Sequence, residues 1–227
     1  MITGFGFILM ITRSVSREEF GIWGNIFDIL GYFVLLAGII PFWTTRFVSR
    51  EHAGSAKTGL IANIIISIAS ISIYLALLPI ITSVLNIPSA YTILYAIVSV
   101  QIIQLYVASA FEAILLAEKP QTIGYGLLVS ETCKVILGFI LIIHLKLGLQ
   151  GAVYTIIIAG IAQAAFYMKL TAKSLKESMN WSYLKEWLKA SPVNLYSIVG
   201  NRIAAFTLIF LFMYGELARG YYQAAFT

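Results

Sequence analysis

Charged and amide side chains recur inside stretches of this sequence that are otherwise apolar, and their spacing collects them on shared helix faces. Residues three, four and seven apart lie on one side of a helix. By that rule Gly21, Asn25, Asp28 and Tyr32 form one polar stripe, and Asn63, Ser67, Ser70 and Tyr74 form another. Gln101, Gln104, Ala108 and Glu112 form a third, and Glu131, Lys134 and Gly138 a fourth. Asn194, Ser197 and Asn201 make a fifth, with Arg202 beside them.

The chemistry open to these groups is narrow. Asp28 and Glu112 can take up protons, or they can pair with Arg202 or Lys134. Glu131 and Lys134 stand one turn apart and read equally as a self-satisfied ion pair or as a functional one. Arg202 has no acidic residue within one turn, and its charge is permanent, so it leads as a functional charge. Asn63, Ser67 and Ser70 read as hydrogen bonds between neighbouring helices, each worth about 0.6 kcal/mol on average. No catalytic set appears: there is no Gly-x-x-x-x-Gly-Lys-Ser/Thr loop, no His-Glu-x-x-His and no Gly-x-Ser-x-Gly. With Cys133, His52 and His144 as the only thiol and imidazoles, no Cys/His metal cluster can form. The reading is a protein that is not an enzyme and has no cofactor.

The elements that hold these stripes are membrane spans. Of 227 residues, 60% are hydrophobic and 11% charged, with a mean hydropathy of +0.90. A soluble domain of this size could not cover so much apolar surface. Apolar runs fall at Met1 to Thr12, Gly21 to Trp43, Gly59 to Ile81, Tyr91 to Leu116, Ile123 to Leu145, Gly148 to Met168 and Pro192 to Tyr214, with an eighth beginning near Tyr221. The first run is shorter than the about 20 residues a span needs. Both ends read as cut within hydrophobic segments, so the sequence is expected to be a piece of a longer chain. A lone charge at mid-bilayer costs about 2.5 to 3.5 kcal/mol. The stripes are therefore expected to face one another or a wet cavity, which suits passage of a polar substrate.

Basic residues set the orientation. Arg46, Arg50, Lys57, Lys119, Lys169, Lys173, Lys176, Lys185 and Lys189 lie in alternate gaps, whereas the intervening gaps hold only Arg13, Arg17, Lys146 and Arg219. The positive-inside rule places the first group in the cytoplasm, and with it the N-terminus of the full-length protein. The net charge of +5 and pI near 9.3 are thus explained by topology and anionic lipid headgroups rather than nucleic acid. The long gap from Lys169 to Ser191 carries Trp181, Leu184 and Leu188 on one helical face, with Lys185 and Lys189 off it. It reads as an interfacial helix on the cytoplasmic leaflet linking two bundles. The organisation expected is an N-terminal transmembrane lobe over 1–168 with its first helix incomplete, a cytoplasmic amphipathic linker over 169–190, and the start of a C-terminal lobe over 191–227. The fold class is an all-α polytopic bundle, about six to seven spans of a two-lobe transporter.

Transporters are commonly built from repeats, and one echo is visible. Arg17 to Asn25 and Glu216 to Ala224 both read as a charged turn, a Gly, a bulky residue and an aromatic, with Gly21 matching Gly220. The segment Arg13-Ser-Val-Ser-Arg-Glu-Glu-Phe-Gly-Ile-Trp-Gly24 resembles the turn after the first helix of polysaccharide-biosynthesis flippases, the Wzx-like branch of the multidrug/oligosaccharidyl-lipid/polysaccharide exporter superfamily. Thr44-Thr-Arg46-Phe-Val-Ser-Arg50 resembles that family's basic end of helix two, and Glu118-Lys-Pro-Gln-Thr-Ile-Gly-Tyr-Gly126 its turn into helix five. Leu147-Gly-Leu-Gln-Gly-Ala152 resembles the entry to helix six, and Gly215-Glu-Leu-Ala-Arg-Gly-Tyr221 the turn after helix seven.

The resemblance implies about twelve to fourteen helices in two lobes around a central cavity. It also implies movement of a lipid-linked oligosaccharide or polysaccharide precursor across the cytoplasmic membrane by alternating access. Arg46 and Arg202 would then meet the lipid's phosphates, although Arg46 could equally snorkel at the cytoplasmic end of its helix. The partners expected are the lipid bilayer, the lipid-linked glycan and glycosyltransferases of the same pathway, with no nucleic acid. The candidate cavity residues are Arg202, Arg46, Asp28, Asn25, Glu112, Gln104, Glu131, Lys134 and Asn201. Two alternatives remain open: a multidrug or cation-coupled extruder of the same superfamily, and a polytopic polysaccharide-assembly enzyme.

Overall fold

The computed structural model describes residues 2–192, 195, 196 and 221. These residues are helical almost throughout: α1 Ile2–Ser14, α2 Arg17–Phe33, a 3-10 turn Leu35–Gly38, α3 Ile39–Val48, α4 Ser55–Val84, α5 Ser89–Val98, α6 Val100–Glu118, α7 Gln121–Gly138 continuing as a π-helical turn Phe139–His144, α8 Gly148–Thr171, and α9 Trp181–Ala190. Four stretches are long and apolar enough to cross a membrane: Ser55–Val84, Ser89–Glu118, Gln121–His144 and Gly148–Thr171. The α2–α3 pair makes a fifth when its two bent halves count as one span. Most of the expected run from Pro192 to Tyr214 lies outside the described residues.

The start of α2 shows how local sequence sets a boundary. Ser16 accepts from the Glu19 backbone N–H, and the Glu19 carboxylate accepts from the Ser16 N–H, a reciprocal cap that satisfies two helix-end donors.

The expected continuous span from Gly21 to Trp43 is corrected by the structure. The helix breaks after Phe33 and turns by 54°. Two backbone facts account for this. The Ala37 N–H turns back to Val34 O at 2.9 Å, so Phe33 O loses its helical donor. Pro41 has no N–H, so Ala37 O has none either. In a membrane such carbonyls must find other donors. Tyr106 of α6 donates its hydroxyl to Phe33 O at 3.1 Å, and Asn63 of α4 donates its side-chain amide to Ala37 O at 3.4 Å. The same amide reaches Tyr106 O at 2.9 Å. Ser70 shares a 3.1 Å hydrogen bond with the Tyr106 hydroxyl, whereas Ser67 bonds to Ile64 O in its own helix. Asn63 and Ser70 thus join helices as expected.

Around this joint lies the main apolar core, built from Ile22, Ile26 and Leu30 of α2, Tyr74 of α4, Tyr95 of α5 and Ile102 of α6. Close approach of α3 to α4 depends on Gly59, where a Cβ would strike the Thr44 side chain.

The linker also departs from expectation. Residues 172–180 are turns and irregular backbone, and the helix begins only at Trp181. Its docked face is set by Trp187, fully buried against Phe47 at a ring separation of 5.2 Å, with Tyr183 beside it. Trp181 and Leu188 are 59% and 53% exposed and point away from the bundle. The apolar arc of α9 is therefore wider than the Trp181, Leu184 and Leu188 stripe, and half of it is spent on protein.

Candidate functional site

The bend between α2 and α3 tilts α3 away from its axis and leaves a cleft of about 680 Å³ against α6 and the start of α7. Gly38, Pro41 and Phe42 form one wall, and Ala113, Leu116 and Ile123 form the other. Arg46 and Glu112 face into it, with Thr45 and Ser109 alongside. Thr45 holds the two helices together: its hydroxyl lies 3.1 Å from Ala113 O and 3.2 Å from Pro41 O. Arg46 and Glu112 each follow or precede one member of that contact by a single residue. The structure thereby brings together two residues 66 positions apart.

Neither charge neutralises the other. The ion pair among the described residues is Glu131 with Lys134, on successive turns of α7. Arg46 folds back along its own helix, with its guanidinium carbon 3.4 Å from the Phe42 ring centre and one N–H donated to Phe42 O at 3.3 Å. Glu112 accepts from the Tyr167 hydroxyl at 3.4 Å, a long contact. Tyr167 is held by a shorter bond to Ile123 O at 3.1 Å and receives Gln163 at 3.2 Å. Gly126 makes this arrangement possible, because a Cβ there would overlap the Tyr167 ring.

The other predicted residues lie elsewhere. Gln104 is on α6, where it donates to Ile157 O of α8 at 2.7 Å and accepts from Gln101 at 2.5 Å. Asn25 is fully buried on α2, with the Tyr95 hydroxyl donating to it at 2.7 Å. Asp28 is half-buried one turn further along α2. Glu131 pairs with Lys134, and a Cβ at Gly4 of α1 would touch its carboxylate. Arg202 and Asn201 lie outside the described residues. Thr45, Phe42 and Tyr167 were not among the sequence candidates. A Tyr in an apolar run gives little signal of its own, and its seat on Gly126 depends on which helices are neighbours.

A second cavity of about 510 Å³ sits at the turn between α3 and α4, lined by Glu51, His52, Glu118, Lys119, Ser174 and Glu177. Here the linker is fastened to the bundle. The Glu177 carboxylate accepts from the Gly54 N–H, Asn180 N–H donates to Thr58 Oγ1 at 2.9 Å, and Ser174 donates to Glu118. Among the described residues no group of three His, Cys, Asp or Glu side chains is placed to hold a metal.

No protein-family model and no curated relative matches the chain. Solved structures do. An inward-facing multidrug resistance MATE family transporter of the MOP superfamily superposes with a TM-score of 0.75 at 17% identity, covering 99% of this chain and 56% of the other. The outward-facing conformation of a MATE family transporter of the same superfamily gives 0.70 at 17%, covering 92% and 51%. A MOP superfamily transporter from Pyrococcus furiosus, described as having a binding pocket of reversed polarity that suggests a different function, gives 0.66 at 16%, covering 92% and 51%. The chain spans about half the length of these structures. Their likeness gives it a MATE-like helical fold, in which four stretches are long and apolar enough to cross a membrane.

Proposed function

We propose that this chain supplies one lobe of a membrane transporter that moves a lipid-linked oligosaccharide or polysaccharide precursor by alternating access. The observation that carries the reading is the α3–α6–α7 cleft, which sets a permanent guanidinium, Arg46, among apolar walls at the end of the bundle rich in Lys and Arg. A guanidinium binds phosphate through paired N–H donors, and the walls suit the hydrocarbon part of an amphiphile. The MATE-like fold supports a two-lobe arrangement, in which rocking of the lobes exposes a site to each side in turn. In this reading Arg202, in the run that follows the linker, supplies a second basic contact from the opposite lobe. Membrane, linker and substrate then share one side, the cytoplasmic face of the cell membrane.

The reading is tested by a flipping assay on the full-length protein in liposomes, with a fluorescent lipid-linked glycan. Protected label in the vesicles supports it. Efflux of an aromatic cation such as ethidium, with no glycan flipping, favours the second reading, a cation-coupled multidrug extruder. Glu112 and Phe42 in the same cleft are the observation on which that reading rests. Full flipping by an Arg202→Gln variant at normal expression removes Arg202 from the account.

A further inference from the structure

We infer that the α3–α6–α7 cleft selects a doubly charged head: a phosphate at Arg46 and, on the same glycan head, a free amine at Glu112. This rests on the reading of the cleft as the substrate site and names the class of substrate that it takes. Both side chains hold unused hydrogen-bonding capacity. A guanidinium carries five N–H donors and a carboxylate about four acceptor sites. Arg46 gives one N–H to Phe42 O, and Glu112 receives one hydroxyl at 3.4 Å. Both side chains line one cleft, yet no ion pair joins them.

Their backbones cannot drift apart or together freely, because Thr45 and Ala113 lock α3 to α6 at 3.1 Å between them. Each charge also has its own rest. The Phe42 ring carries the guanidinium, and Tyr167, seated against Gly126, shares its one hydroxyl proton between Ile123 O at 3.1 Å and the Glu112 carboxylate at 3.4 Å. The cleft therefore presents a cation and an anion in one lining, with no ion pair between them.

Charge complementarity then decides the ligand. A head with only negative charge meets Arg46 but stands against Glu112, which is half-buried, so that the repulsion is only partly screened. A head with only positive charge meets the converse. A phosphate joined to a sugar with a free ammonium group satisfies both, and Ser109 offers a hydroxyl partner within the same lining. The hydrocarbon chain leaves along Phe42 and Leu116, which are 37% and 54% exposed.

Two matched probes test this: farnesyl phosphate joined to glucosamine, and the same compound with the amine N-acetylated. Binding is measured by titration on the full-length protein in detergent, with melting temperature as the fold control. The free amine is expected to bind about tenfold tighter, the ratio that a difference of about 1.4 kcal/mol gives. Glu112→Gln should abolish that ratio, weakening the free-amine probe and relieving the repulsion felt by the N-acetyl probe, and Arg46→Gln should weaken both probes alike. Equal binding of the two probes to the unsubstituted protein, or a ratio that survives Glu112→Gln, overturns the inference. If Arg46→Gln still weakens both in that case, the cleft remains the phosphate site and only the amine selection falls. If neither probe binds, both readings fall.

Discussion

The carbonyl of Ala37, which Pro41 leaves without its helical donor, takes the side-chain amide of Asn63 at 3.4 Å. The same amide meets Tyr106 O at 2.9 Å, so one side chain fastens the bent span to α6. An average interhelical hydrogen bond in a membrane is worth about 0.6 kcal/mol, but an unsatisfied buried polar group costs about 1 to 3 kcal/mol. Asn63→Ala is therefore expected to destabilise the protein by about 1 to 2 kcal/mol, read as a lower melting temperature in detergent. Ser67→Ala, which removes a bond within its own helix, should shift it by less than half as much.

The seat of Tyr167 gives a paired prediction at two glycines of α7. Gly126→Ala places a methyl on the Tyr167 ring and should lower the melting temperature and weaken binding at the Glu112 end of the cleft. Gly124 has no heavy atom within 4 Å of a Cβ position. Gly124→Ala should be neutral or stabilising by up to about 1 kcal/mol, the helix propensity gain.

The two tryptophans of α9 should behave oppositely. Trp187 is fully buried, and Trp187→Ala is expected to cost about 3 to 5 kcal/mol. Trp181 is 59% exposed, and Trp181→Ala should change stability by within about 0.5 kcal/mol. In nanodiscs, brominated lipids should quench a variant that keeps only Trp181 more strongly than one that keeps only Trp187. Equal quenching would remove α9 from the headgroup layer.

The Glu131–Lys134 pair is a test of ion pairing at partial burial, the side chains being 25% and 23% exposed. Removing one partner leaves a charge among helices, so Lys134→Met alone should cost about 1 to 3 kcal/mol. The Glu131→Gln, Lys134→Met double variant should recover most of it, because apolar or neutral replacement of a whole pair is often tolerated. A double variant as unstable as the sum of the singles would show that the pair acts through other groups.

Much of the architecture was legible in the residues, for reasons these predictions make plain. Long apolar runs broken by charged gaps fix spans well, because mid-bilayer charge is so costly. The roles of Asn63 and Ser70 between helices were legible for the same reason, polar groups in an apolar run having to meet something, whereas Ser67 meets Ile64 O of its own helix. The break after Phe33 was not, since apolar periodicity does not register that Pro41 withholds a donor from Ala37. The docked face of α9 was missed because Trp181, Leu184 and Leu188 satisfy helical spacing as well as Tyr183 and Trp187 do, and spacing alone cannot say which half meets protein. The meeting of Arg46 with Glu112 was out of reach, because it depends on which helices are neighbours. Arg46 was reached through resemblance and Glu112 through its stripe, and the shared cleft joins them.

In the proposed function, Arg46 in the α3–α6–α7 cleft receives the phosphate of a lipid-linked glycan during transport. The most direct measurement is the initial rate of glycan flipping in liposomes for the full-length protein and its Arg46→Gln and Arg46→Lys variants, at matched insertion and melting temperature. Arg46→Gln is expected to lose about tenfold or more, near the about 1.5 to 3 kcal/mol that a hydrogen bond to a charged group contributes, with partial recovery in Arg46→Lys. Flipping by Arg46→Gln at the unsubstituted rate would contradict it.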